Sequence, residues 1–413
     1  MARLVIAKRN REWYIFLGLI CIGILFRFAV MTIGHNFDFE SYCIVGEISG
    51  NLRNVYAETG RYNYAPVFLC IQGLLYRISQ IGGGQWISLY RVLIVSTLTA
   101  ADLGITFFIA KKYSYVAAIL FFLNPISIII TGYHNQFDNI AILFALISIV
   151  YFNNDKKFNK KDIGFIVWFS MSLLTKHILV FLPIFILLLK NLPIKKKIVY
   201  AFVPPMIFLI SFIPFALASR EAFEGIIKNV FMYRSFNNAP ILQLFYNLIG
   251  FPLWPRIIVY GVLMAALAWI VRGYRYEQIL LIYFIAMVAF SSAIANQYLV
   301  IPMVALCVFN VWKWDWIYMG ATSAYLLIDY NGFNIISIIE AQLPGSILYK
   351  LCAGYYLYGY IMAVWILAFA IIQLVRLNLK AKEVIIYGKR LPLWGMFGDK
   401  PFSDKNNNRR IKC

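Results

Sequence analysis

The chain has 413 residues, 62% of them hydrophobic and only 14% charged, with a mean hydropathy of +0.73. That apolar share excludes an ordinary water-soluble globular domain, because such a chain needs lipid around it. The formal net charge of +20 does not point to nucleic acid, since the basic residues stand in short clusters between apolar segments rather than on one continuous face.

Read in chain order, MARLVIAKRNRE sets Arg3, Lys8, Arg9 and Arg11 before a long apolar stretch that has no small-residue cleavage site. Residues 1–12 therefore read as a cytoplasmic N-terminus, and about 13–33 as a retained first span running outward. Residues 34–64 are then an external loop carrying short juxtamembrane helices. The stretch 65–80 has Arg77 inside it and is short for a hydrocarbon core that needs about 20 residues. Lys111-Lys112 and the run from Lys156 to Lys161 both read as cytoplasmic, and the parity works only if 65–80 lies on the outer surface or is re-entrant. Spans follow at 87–110, 114–131 and 138–152, with the GYHNQFDN turn external.

Two short apolar stretches, 163–175 and 178–190, are flanked by Lys161 and by Lys195-Lys196-Lys197, so the Thr-Lys-His turn between them faces outward. Later spans lie near 199–218, 256–272, 278–294, 297–312, 315–332 and 354–376, with Pro204, Pro205 and Pro214 kinking the first of them. The expected architecture is all-α and polytopic, about a dozen transmembrane helices. A catalytic membrane module spans 13–190, a variable membrane module 191–376, and a basic cytoplasmic tail 377–413.

Six cysteines (Cys21, Cys43, Cys70, Cys307, Cys352, Cys413) show no CxxC spacing and read as small apolar fillers. His35, His134 and His177 all fall at external ends, together with Asp38, Glu40, Glu58, Arg61, Arg91, Asp138, Lys176, Arg220, Glu221, Arg234 and Gln297. The midplane is nearly free of charge, so a polar cavity facing outward is expected. Asp38 and Glu40 stand just beyond the first span. A carboxylate there, partly desolvated, gains basicity and reaches a substrate hydroxyl; the plainer reading is a solvated rim acid.

The turn from Tyr133 to Asn139 is more polar than a turn requires, which assigns His134 and Gln136 to binding; otherwise Asp138 or Asn135 is the N-cap of the next helix. Lys176 and His177 suit an anionic headgroup or phosphate, or else Lys176 snorkels to the interface. Asp102 is either a paired buried acid or part of the cavity, and Arg27 is similar. Trp86, Tyr90, Tyr133, Trp254 and Tyr298 read as an interfacial aromatic belt. Gly82-Gly83-Gly84 is a turn, lacking the strand and helix of a nucleotide-binding loop.

Five segments, in order, resemble a family. FDFESYCIVGEIS is similar to a first-loop G-D-[FY]-E-A motif, and RYNYAPVF to D-Y-P-P-L, with Asn63 and Ala65 replacing the Asp and first Pro. RVLIVSTLTAADLGITFFIAKK resembles an A-D-L helix, NPISIIITGYHNQFDN a helix ending in D-x-G-H-F-Q-Y-N, and LLTKHILVFLP a K-[HQ]-[IM]-x-L-x-x-x-P segment. Across 35–185 the chain looks like the GT-C polyprenyl-phosphate-sugar glycosyltransferases, nearest the glucosyltransferases of the N-glycan precursor, with likeness to the GPI mannosyltransferase. In the second half Asn296-Gln297-Tyr298 stands where the N-glycan enzymes have His-Glu-Lys, nearer the Ser-Gln-Tyr of the GPI enzyme.

The resemblance implies inverting transfer of a hexose, mannose or glucose, from a polyprenyl-phosphate donor to a glycan or lipid-linked acceptor outside the membrane. It implies Asp38 as base and Lys176 and His177 beside the phosphate, with Arg220 and Arg234 as further cations. Glu40, His134, Gln136, Asp138 and Gln297 are the expected substrate-binding residues. No cofactor is expected; Asp38-x-Glu40 suits a divalent metal, which lipid-phosphate donors do not demand. The expected partners are the donor, the acceptor and membrane lipid, in a multi-pass plasma, inner or endoplasmic-reticulum membrane. The alternative functions are a flippase or transporter of a lipid-linked sugar and a glycan polymerase. A transporter tends to show inverted repeats and midplane polar sites, and no repeat relates the two halves.

Overall fold

The computed structural model describes residues 2–233, 256–291, 294–309, 314–329 and 332–381, and every regular element among them is a helix. The first is α1 (Ala2–Ile33), whose outward faces carry Ile15, Leu25 and Phe26 exposed. Then come α2 (Phe37–Gly50), α3 (Val55–Glu58) and α4 (Pro66–Ser79), short helices inside and after the expected first loop. Each begins at a local signal: Asn36 and Asn54 accept the first free backbone N–H groups, and Pro66 occupies the first turn of α4. A 3-10 turn over Gln80–Gln85, with Gly83 at φ +53°, joins α4 to α5 (Trp86–Lys112).

Helices α6 (Tyr115–Phe122) and α7 (Pro125–Gly132) bend by 48° at Asn124-Pro125, where Asn124 caps α7. After α8 (Asp138–Tyr151), helix α9 (Lys160–Thr175) opens with a capping box between Asn159 and Asp162. Lys176 is extended (φ −152°, ψ 135°), and the chain turns by 112° into a 3-10 segment and α10 (Leu182–Leu188). Helix α11 (Ile194–Ile210) runs through Pro204 and Pro205, and α12 (Ile213–Ala216) continues it past Pro214.

Between the expected spans at 199–218 and 256–272 lies α13 (Arg220–Ile226), capped by Ser219 and extended by a π-helical turn over Ile227–Phe231. The second half holds α14 (Arg256–Val271), α15 (Tyr276–Ala289), a 3-10 turn Asn296–Val300 leading into α16 (Ile301–Phe309), α17 (Trp314–Ile328), α18 (Ile335–Gln342) and α19 (Ile347–Ala381).

Three described stretches are long and apolar enough to cross a membrane: Glu12–Ile33, Pro66–Lys112 and Ile194–Ala216. Three bent pairs bring the number to as many as six, and five further apolar helices are shorter. Helices α15 and α16 are buried along almost their whole length, whereas α11 exposes Phe202, Met206 and Leu209.

The hydrophobic packing falls into two clusters. The larger joins α6 to α10 with α15, α16 and α19. The smaller gathers α2, α3 and α4 against the first turns of α5, with Phe137, Phe212 and Ile226. Helices α2 and α4 approach closely because glycines meet there: a Cβ on Gly73 would lie 2.9 Å from the Ser49 carbonyl carbon and 3.0 Å from the Gly50 nitrogen.

The two ends of the bundle differ in chemistry. At one, Lys112 pairs with Glu277 at 3.2 Å, Lys196 with Asp162 at 2.5 Å, and the Lys190 N–H donates to the Arg272 carbonyl. The other end holds α2–α4, the turn 133–137 and the Lys176 corner.

Between them, Arg27 and Asp102 form a buried pair. Arg27 Nε donates to Asp102 at 2.9 Å, Nη1 to the carbonyls of Gly23 (3.0 Å) and Phe122 (2.9 Å), and Nη2 to Ser127 Oγ (2.9 Å). Thr131 and Asn139 also donate to Asp102. The pair is a polar tie between α1, α5, α7 and α8, so Asp102 is the paired acid of the two alternatives rather than a cavity group.

Candidate functional site

Asn36 organises the first side of the site. Its Oδ1 accepts the backbone N–H of Asp38 at 3.1 Å as the N-cap of α2. Its Nδ2 must therefore be the donor, and it reaches both Asp38 Oδ2 (3.2 Å) and His134 Nδ1 (3.1 Å). Gln136 Nε2 donates to the same Asp38 Oδ2. Asp38 is thus held by two side-chain amides on one oxygen, has no cation within ion-pair distance among the described residues, and keeps Oδ1 for another donor.

The turn 134–137 is where α7 gives way to α8. Asn135 takes the left-handed conformation (φ +56°) and donates to the carbonyls of Thr131 (3.1 Å) and Gly132 (2.9 Å). It closes the end of α7 instead of opening α8. The N-cap of α8 is Phe137, with no side-chain cap bond, so the capping role expected of Asp138 or Asn135 at that position is not what these residues do.

Because Asn36 donates to His134 Nδ1, the imidazole proton of the neutral ring sits on Nε2, and that N–H is buried without a partner. Burial pushes the His134 pKa down to about 4, so the ring is neutral near pH 7. Asp138 Oδ1, Asn135 Oδ1 and Asn139 Oδ1 are also buried and unbonded. Four such atoms within one turn mark a place where a ligand or water completes the hydrogen bonding.

Lys176 projects from the 112° corner into this turn, where its ammonium donates to Asp138 Oδ2 at 2.6 Å. The ring centroids of Phe137, Tyr64 and Tyr298 lie 4.9, 5.1 and 5.6 Å from Nζ. Snorkelling is overturned: Lys176 is 1% exposed, its charge matched inside the protein. His177 stacks on Tyr64 with ring centroids 5.9 Å apart.

Tyr64 is set in place by its own loop, since Tyr56 Oη donates to the Tyr64 carbonyl and Tyr62 Oη to that of Ala65. Burial raises the Tyr64 phenol pKa well above its usual value, and the carboxylates of Asp38 and Asp138 raise it further, so all three share one neighbourhood.

Other expected site residues lie apart. Glu40 is exposed on α2 and stands 3.9 Å from Arg61. Arg220 is exposed and pairs with Glu224 at 2.7 Å along α13. Gln297 is half-buried beside Tyr298, the residue of that turn which faces Lys176. Arg234 and Trp254 lie outside the described residues. Among the described residues no three His, Cys, Asp or Glu side chains converge as a metal site would require. The aromatic belt is corrected at two positions: Tyr90 is buried and donates to the Tyr42 carbonyl at 3.0 Å, and Tyr298 faces the lysine.

Sequence reasoning does not single out Asn36, Tyr64 and Phe137 for the site. An Asn two residues before an acid at a helix start carries an N-cap signal that could have found Asn36. The two aromatics give no comparable sign. No family model, curated protein or solved structure matches this chain.

Proposed function

We propose that this protein is an integral membrane glycosyltransferase of GT-C type, with about a dozen spans, that transfers a hexose from a polyprenyl-phosphate donor to a glycan or lipid-linked acceptor at the outer end of the bundle. The observation that carries this reading is the convergence on Asp38 of residues nearly a hundred positions away, with Gln136 on its Oδ2 and the Lys176–Asp138 pair in the same neighbourhood.

In this reading Asp38 Oδ1 takes the proton of the acceptor hydroxyl as its oxygen attacks the anomeric carbon. The bond from that carbon to the phosphate oxygen breaks, and the lipid phosphate leaves with the electron pair. Gln136 and Asn36 hold the carboxylate in orientation. The His134 Nε2–H is a free donor for a hydroxyl or phosphate oxygen. Lys176 is already matched by Asp138, so it contributes to the leaving phosphate by sharing its remaining N–H donors rather than as a free charge.

The test is transfer of radiolabelled sugar from a polyprenyl-phosphate donor by the purified chain. Asp38→Asn, folded as judged by a single symmetric elution peak, is expected to lose at least about 100-fold in rate. Full activity in that variant removes Asp38 from the mechanism. Translocation of a lipid-linked sugar across liposomes with no covalent product replaces the transferase reading with a flippase.

A further inference from the structure

A cavity of about 290 Å³ lies between the end of α1, the start of α2 and the first turns of α5, lined by Met31, Thr32, His35, Phe39, Ile87, Ser88, Arg91 and Val92. It is separate from the Asp38 cluster. Buried Phe39 packs against His35, with ring centroids 5.0 Å apart, while Asp38 Oδ2 engages Asn36 and Gln136.

Arg91 is the unexplained group there. Its hydrogen-bond partner among the described residues is the Gly34 carbonyl, reached by Nη2; Nε is buried and unpartnered, and no carboxylate of those residues stands within ion-pair distance. The contrast with Arg27 is direct, since Arg27 Nε, Nη1 and Nη2 all donate and an acid faces it. A guanidinium left without an anion, half-buried against Phe39 at 5.6 Å, is an incomplete arrangement.

The walls say what completes it. Arg91, His35, Ser88 and Thr32 offer polar contacts, and Met31, Phe39, Ile87 and Val92 offer apolar ones beside them. Ile33 and Ile87 are exposed, at the ends of α1 and α5 that meet there, and both helices belong to stretches apolar and long enough to cross a membrane. We infer that this cavity binds the phosphoryl group of a membrane lipid, with Arg91 as its anion partner and the lipid chain lying along Ile87. The inference depends on the chain being in a membrane but not on the transferase reading. A planar guanidinium with free N–H groups matches phosphate oxygens, and a water-soluble anion gains nothing from the apolar wall.

The test uses the full chain purified in dodecyl maltoside and radiolabelled dioleoyl phosphatidic acid, with dioleoylglycerol as the chain-only probe and inorganic phosphate in large excess as competitor. The wild-type chain should retain phosphatidic acid and not dioleoylglycerol, and inorganic phosphate should fail to displace it. Arg91→Gln should weaken binding by about tenfold. Ile87→Trp, which narrows the cavity and leaves the guanidinium intact, should do the same and serves if the first variant misfolds. Arg53→Gln, which removes an exposed positive charge paired with Glu58, should bind as the wild type does.

Equal retention by wild type, Arg91→Gln and Ile87→Trp overturns the site. An equal loss in Arg53→Gln assigns binding to diffuse surface charge and overturns it as well. Displacement by inorganic phosphate makes the ligand a free anion and overturns the lipid assignment.

Discussion

Removing the Lys176 ammonium should destabilise the protein more than removing the whole Lys176–Asp138 pair. The contact is 2.6 Å long, with the side chains 2% and 0% exposed. At an effective dielectric constant of about 20, that separation corresponds to ~6 kcal/mol of attraction, much of it offset by the desolvation of both ions. Lys176→Met keeps the length of the side chain and leaves Asp138 as an uncompensated buried charge, for an expected loss of about 3–5 kcal/mol. Asp138→Asn strands the ammonium among Tyr64, Phe137 and Tyr298 and should cost a similar amount.

The double variant removes both charges, so its loss should be smaller than that of Lys176→Met alone, which puts it at least about 3 kcal/mol below the sum of the single losses. Unfolding in mixed micelles with increasing dodecyl sulfate, followed by tryptophan fluorescence, measures all three. Sugar transfer measured in parallel should stay low in the double variant, because stability returns and the donor does not. Additivity within ~0.5 kcal/mol would refute the buried pair as described.

Arg27→Met should cost about 3–5 kcal/mol in the same unfolding measurement and Arg27→Lys should not restore it, since one ammonium cannot reach Asp102, two carbonyls and Ser127 together; a loss below ~1 kcal/mol contradicts the tie. Gly225→Ala places a Cβ 1.9 Å from the Tyr56 carbonyl oxygen, so α13 must move off α3; a loss of about 1–3 kcal/mol and faster proteolysis within 220–231 are expected, and unchanged proteolysis counts against that docking. His134 binds its proton at about 4 in the fold against 6.5 when free, so the unfolded chain takes up the proton first, and stability falls as pH drops from about 6.5 through about 4. The loss reaches roughly 3 kcal/mol, and thermal scans of His134→Gln over that range should be flatter than wild type by a comparable amount.

Much of the site is legible in the sequence because it is built from local signals. Asp38 stands just beyond the first span, Lys176 interrupts an apolar run, and the 133–139 turn is polar between two apolar helices, so each stands out by its place in the sequence. Their mutual contacts are not legible in the same way. Asp38 touches Gln136 across 98 positions, and Lys176 reaches Asp138 only because the backbone bends by 112° at an extended residue. Glu40 shows the converse: two residues on from Asp38 in sequence, it faces solvent, since residues two apart on a helix do not share a face.

Composition and charge clusters by themselves determined that the chain is helical and apolar, because backbone groups in hydrocarbon must be satisfied within each segment and that demand is written residue by residue. Which aromatic rings enclose a lysine, whether Asp102 meets Arg27, and that Arg91 faces no acid among the described residues were decided only by the tertiary structure. These are long-range pairings, and a charge or a ring carries no mark in the sequence of the partner that packing will bring to it.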